Sequence, residues 1–303
     1  MNLVRDWATE PIPEYPPWLD AGYRYPSFAE FGQAMILTWK GTCSTLQRLD
    51  EASSAIYASL QGQNVRYLEM SFGIGAYPYP ADETLSAFKS GVPEGMTVKV
   101  IGALSRDRDI EMIRNAGAGY VRSDLLDGLD VHGNETVGDP GLFRDFYDIA
   151  RERGLILKAH AGEFGGATSV EQALDSLGVD RIEHGVRGIE SAALVDRYIC
   201  EDITLDLCPW SNVKLGVYPD LATHPVSDLH RQGVRVTVNT DDPTLFGQTL
   251  TEEYGWLISE CGMTLADVGA IAKNGFHVAD MSGQEKAAAM LEIDDVLVRY
   301  SRG

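Results

Sequence analysis

Four short polar stretches each stand directly after an apolar, β-branched run: Lys158-Ala159-His160-Ala161-Gly162-Glu163, Arg181-Ile182-Glu183-His184-Gly185, Cys208-Pro209-Trp210-Ser211-Asn212 and Asn239-Thr240-Asp241-Asp242-Pro243. Such a run reads as a strand, so each stretch puts polar side chains at a strand's carboxyl end. In α/β proteins with parallel strands those ends share one face, and catalytic groups collect there. Four in succession predict one site, in a fold that brings successive strand ends to a common mouth.

The rest of the chain supports that reading. Strand-like runs recur at 65–70, 97–104, 128–131, 155–159, 180–183, 203–207 and 235–239, and amphipathic helical patterns lie between them, at 141–153, 169–177, 191–200 and 221–232 among others. Unbroken strand–helix alternation is the pattern of parallel βαβ units, which close either into an open doubly wound sheet or into a TIM-type (β/α) barrel. Chemistry spread over four strand ends, with no G-x-G-x-x-G or P-loop motif, favours the barrel. Only seven strands are found. The first 64 residues read as a lead over 10–26, rich in proline and aromatics, and then helix over 28–62, so the barrel's first strand is expected to be missing or replaced. The whole of 1–303 is expected to form a single (β/α)-barrel domain, with 1–27 as an irregular lead. In that lead Trp7, Tyr15, Trp18, Tyr23 and Tyr25 alternate with five prolines and suit a plug across the gap, a lid over the mouth or a surface contact.

Composition excludes several roles. The formal charge of −20 argues against a nucleic-acid partner, since binding there begins with basic patches. Apolar runs stop well short of the roughly 18 residues that suggest a membrane span, and the N-terminus lacks a signal-peptide core, so a cytoplasmic protein is expected. Cys43, Cys200, Cys208 and Cys261 are far apart in sequence, form no C-x-x-C pair and are expected to be buried thiols.

Taken singly, the polar residues have plain explanations. His160 and Glu163 fit a chance pair in a loop, His184 a structural hydrogen-bonding group, and Asp242 a helix N-cap before Pro243. Taken together, His160, His184, Asp241 and Glu163 give two imidazoles and two carboxylates on three strand ends, which is what metal-assisted hydrolysis requires. Adjacent Asp241 and Asp242 also repel unless a cation or a shared proton offsets them. No G-x-S-x-G elbow supports serine hydrolysis.

The four stretches, in this order and spacing, make the chain resemble the adenosine deaminase family of the amidohydrolase superfamily. The segment Gly128-Leu129-Asp130-Val131-His132-Gly133-Asn134-Glu135 is similar to the family's fourth strand. The resemblance implies a zinc-dependent (β/α) barrel that hydrolytically deaminates an amino-purine nucleoside or related heterocycle. It implies His160 and Asp241 as zinc ligands, Glu163 as proton donor to the purine ring, and His184 as the base that orients and deprotonates water. Asp242 and Gly133 would bind the purine on opposite edges. Dimerisation is a fair expectation for an enzyme of this size.

The departure from the family is specific. Its other two zinc ligands form a His-x-His pair on the first strand, and no His-x-His occurs here; Ser71 also stands where the family commonly has arginine. Three explanations follow. A shortened N-terminus predicts an unclosed barrel with exposed edges, and a divergent member with weak or no metal predicts that the lead is rebuilt to plug the gap. A catalytically inactive relative predicts purine binding alone. A metal-free acid–base enzyme acting on another heterocycle is the remaining alternative.

Overall fold

The computed structural model describes residues 2–300; Met1 and residues 301–303, the ends of the single unit expected from the sequence, lie outside the described residues. Seven strands form one parallel sheet in sequence order: β1 (Tyr67–Gly73), β2 (Thr97–Ser105), β3 (Gly128–His132), β4 (Ile156–Ala161), β5 (Arg181–His184), β6 (Thr204–Leu207) and β7 (Arg235–Val238). All seven expected strands are present, and helices follow them as the βαβ pattern requires. The sheet curls as a TIM-type barrel lacking one stave: β1 and β7 are its edges, and no described strand pairs with the outer side of either.

The helix expected over 141–153 begins as a 3₁₀ turn, Pro140–Phe143, before the α-helix Arg144–Glu152. That expected over 221–232 is interrupted: a 3₁₀ turn, Leu221–Thr223, gives way to extended His224, and a helix resumes at Val226–Arg231. Pro225 explains the break, since proline disfavours helical backbone in the residue before it and has no N–H to donate.

The interior beneath the mouth is not a stack of apolar layers. Lys158 on β4 lies 2.9 Å from Glu69 on β1 and 2.8 Å from Asp206 on β6, and also pairs with Glu183 on β5. Arg181 lies 3.0 Å from Glu69 and 2.6 Å from Asp206, whose other oxygen accepts from Thr237 Oγ1 at 2.6 Å. Buried charges are tolerated when each is paired and hydrogen-bonded. Here the pairs tie edge strand β1 across the interior to β4, β5 and β6, a link that matters where no backbone ladder closes the ring.

The lead does not fill the missing stave. Val4, Ile12, Trp18 and Tyr25 join Phe31 and Ala34 in a separate apolar cluster with Leu245 and Phe246, in the turn after β7. Tyr25 N–H donates to Lys214 O at 2.9 Å, its hydroxyl donates to Leu245 O at 3.1 Å, and Lys214 Nζ donates to Asp20 O at 2.7 Å. The lead therefore lies against the loops that follow β6 and β7, closer to a lid than to a plug. Edge strand β7 is covered instead by the helix Leu265–Val278, whose Asn274 Nδ2 donates to Val236 O at 2.9 Å. Across the gap, Leu250 N–H donates to Gln63 Oε1 at 2.9 Å.

Of the cysteines expected to be buried, only Cys208 is; Cys43 and Cys261 are half-buried and Cys200 is exposed. Cys200 is the last residue of the helix Ala192–Cys200, with its side chain off the core face. No helix among the described residues is long and apolar enough to cross a membrane.

Candidate active site

His160, His184 and the Asp241-Asp242 pair sit at or just beyond the carboxyl ends of β4, β5 and β7. His184 and Asp241 hold left-handed backbone, at φ 63° and 54°, which L-residues other than glycine adopt at a cost of about 1–2 kcal/mol each. Strain of this kind re-aims a side chain that would otherwise continue the strand's alternation. Gly133, just past β3, has φ 98°, and a Cβ there would stand 2.6 Å from Asp107 Oδ1, so only glycine fits this turn.

Two acids, buried Glu163 and half-buried Asp242, dominate the electrostatics. Burial pushes Glu163 up to about 7; the Asp241 and Glu135 carboxylates add to the rise and His184 opposes it. Its Oε1 accepts from Asn212 Nδ2 at 2.9 Å, and its Oε2 lies 3.6 Å from His184 Nε2. Burial, then the adjacent Asp241 carboxylate, pushes Asp242 up to about 8. The Asp242 side chain makes no capping bond to the helix Pro243–Phe246, so the N-cap explanation does not account for it. Both groups hold protons near neutrality, when an exposed carboxyl is ionised.

The sign of the resulting pH dependence is fixed. A carboxyl whose folded value is raised gives stability that is complete below its unfolded value, and loses it as pH climbs through the folded one. For Asp242 that loss runs from about 4 to about 8. Asp242→Asn is therefore expected to raise stability at about pH 8, a gain that shrinks as pH falls and vanishes by about pH 4. Thermal melts of parent and variant across that range check it; equal melting temperatures at the alkaline end would contradict it.

The loop carrying Glu163 is held by a residue that sequence reasoning quoted without assigning a role. Glu135 is buried beneath it and accepts from the backbone amides of Gly162 at 2.6 Å, Glu163 at 2.8 Å, Phe164 at 3.1 Å and Gly165 at 3.3 Å, and from Ser169 Oγ at 2.8 Å. Burial alone would raise its pKa, but these bonds hold the carboxylate below its usual range. The loops after β6 and β7 are joined similarly: buried Glu253 accepts from Trp210 N–H at 3.3 Å and Gln248 Nε2 at 3.1 Å, while the same Gln248 nitrogen donates to Thr240 O at 2.8 Å.

His160 faces a different partner. Its Nδ1 lies 2.7 Å from Oδ2 of fully buried Asp130, and although burial works against the charged ring, that carboxylate pushes it up to about 10. Arg106 Nη2 donates to His160 O at 2.8 Å. The His132 and His184 rings flank it, with centroids 6.2 and 5.3 Å away.

The donors present do not fit a catalytic zinc centre. Among the described residues, the one group of three possible ligands whose donor atoms lie within 4.8 Å of one another is His184, Cys208 and Asp241, and it does not include His160. Burial, with Asp241 and Glu183 adding, drives the Cys208 thiol well above its ordinary value. His184 Nδ1 faces Asn212 and its Nε2 faces Glu163.

His160, Glu163, His184 and Asp241 thus come together, with Asp242 beside Asp241 and Gly133 one residue beyond His132. Comparison with known proteins now adds the decisive observation: residues 50–296 match the sequence profile of the adenosine deaminase family. The chain belongs to that family. It is accordingly a hydrolase of the deaminase class, acting on a C–N bond. It is 32% identical to an adenine deaminase of Zymomonas mobilis over 98% of this chain and 89% of that protein. That alignment takes in almost all of the lead. Among solved structures, an adenine deaminase from Arthrobacter aurescens superposes with a TM-score of 0.80 at 25% identity, covering 91% of this chain and 86% of that one. An amidohydrolase from Burkholderia ambifaria with bound zinc gives 0.75 at 25% identity, covering 86% and 77%.

Proposed function

We propose that this chain removes the amino group of adenine or a close aminopurine by hydrolysis, adding one water and releasing one ammonia. The observation that carries the proposal is the pair of proton-bearing acids, Glu163 and Asp242, at the ends of two strands in one mouth. In adenine the exocyclic amine lies between two lone-pair acceptors: N1, bonded to the carbon that bears it, and N7, one carbon further round. Two neutral carboxyls suit them, where two carboxylates would repel them.

Glu163 protonates the six-membered ring nitrogen beside the reacting carbon. Asp242 donates to the five-membered ring, and the Gly133 amide contacts the opposite edge. His184, beside Glu163, meets the incoming oxygen. His160 and Asp241 are the positions that the family resemblance gives to zinc, but two such donors leave a catalytic centre incomplete, and only steps made by this chain's own residues are assigned. The free base is preferred over the nucleoside because relatives matched over most of this chain are named adenine deaminases.

Ammonia release from adenine, adenosine and AMP, with metal content measured on the same sample, tests the proposal. Adenine is expected to yield the most ammonia; preference for adenosine or AMP would overturn the choice of base. The incomplete metal set favours a second reading, purine binding without turnover. Adenine retained in equilibrium dialysis, with no ammonia whether or not zinc is added, would establish that one instead.

A further inference from the structure

Asn212 and His224 are buried and have no role in the proposed reaction, yet their hydrogen bonds determine where the site's protons sit. The sequence of bonds starts at a backbone amide, which can only donate. Val226 N–H lies 3.2 Å from His224 Nδ1, so that nitrogen is unprotonated. Burial keeps His224 neutral, down at about 3, and its proton is then on Nε2, 3.1 Å from Asn212 Oδ1. A carbonyl oxygen toward His224 turns the Asn212 NH2 the other way. One of its N–H groups donates to Glu163 Oε1 at 2.9 Å and the other faces His184 Nδ1 at 3.4 Å. His184 Nδ1 must therefore accept, which leaves the neutral ring's proton on Nε2.

We infer that His224 and Asn212 are positioning residues that lock His184 as its Nε2–H tautomer and place the Glu163 proton on Oε2. The two donor atoms are 3.6 Å apart and open to the same space. Resting on the aminopurine reading for its substrate, this arrangement offers Glu163 to the ring nitrogen and His184 Nε2–H to the oxygen added at the neighbouring carbon. His184 then stabilises that oxygen as a donor and is not the base that the family resemblance implies; one proton of the added water passes through the Asp241 carboxylate to the departing amine, and the other restores Glu163.

The imidazole nitrogens of His184 in the full, ¹⁵N-labelled chain test this directly, with signals assigned by their loss in His184→Gln. The expected result is an unprotonated Nδ1 and a protonated Nε2. His224→Phe frees the Asn212 amide, so both tautomers should appear and kcat on adenine should fall about tenfold with KM little changed. His224→Gln, whose amide N–H can reach Asn212 Oδ1, should restore both. A protonated Nδ1 in the unsubstituted chain, or a tautomer unchanged in folded His224→Phe, overturns the inference. The unsubstituted chain decides the matter even if a variant does not fold. The expected tautomer with no ammonia from adenine would support the hydrogen-bond assignment and refute the aminopurine reading.

Discussion

Glu163→Gln lowers turnover of adenine by about 10²–10⁴ while the protein stays folded, because it removes the one acid placed to protonate the ring. The substitution is nearly isosteric. Its side-chain oxygen can still accept from Asn212 Nδ2, now at 2.9 Å from Glu163 Oε1, so packing and loop position are kept. What disappears is a dissociable proton on a group that burial holds at about 7. The loss should fall on kcat, with adenine binding little affected, since a step made in the transition state is removed and ground-state contacts are not. Steady-state kinetics beside a melting curve check it; full activity in a folded variant would remove Glu163 from the reaction.

Glu135→Ala is expected to cost about 3–5 kcal/mol, on the order of 10 °C in Tm. The alanine leaves four backbone amides and the Ser169 hydroxyl without the carboxylate that now accepts from all of them. It also removes a negative charge facing buried Arg106. Because these amides belong to the turn that carries Glu163, activity should fall well below what unfolding alone explains. Circular dichroism melts and activity measured below the variant's Tm separate the two effects. A change under about 1 kcal/mol would mean that solvent replaces the carboxylate without loss.

These two residues mark what the sequence could and could not disclose. Glu163 was legible because it follows a strand within a four-part pattern, and patterns along one chain segment survive into the fold. The strands themselves were legible for a related reason: β6 is buried at every position, and its run Thr204–Leu207 is nearly all apolar or β-branched. Glu135 lay in a stretch that had been recognised, yet nothing in its spacing says that it reaches a turn 27 or more residues away. Asn212, His224 and Asp130 are similar, since each acts through a partner on another element. The lead was harder still. A proline-rich aromatic segment has no period to read, and its docking against Leu245 and Phe246 depends on the finished surface of the turn after β7.

The missing stave was visible in sequence as an absent strand, but not how the remaining seven manage without it. The structure's answer is the ion network joining Glu69 to Lys158 and Arg181 beneath the mouth, together with the helix Leu265–Val278 over β7. Lys158 and Arg181 open two of the four polar stretches, so the network ties edge strand β1 to the strands that carry Glu163 and His184 in a sheet whose described strands do not close a ring.

The central claim is hydrolysis at the amine-bearing carbon of an aminopurine. Its most direct test is to incubate the purified chain with adenine in H₂¹⁸O and to measure ammonia and the labelled product together. The account predicts one ammonia for each hypoxanthine, with a single ¹⁸O on the carbon that carried the amine. Adenine recovered unchanged, or a product formed without ammonia or without label, would contradict it.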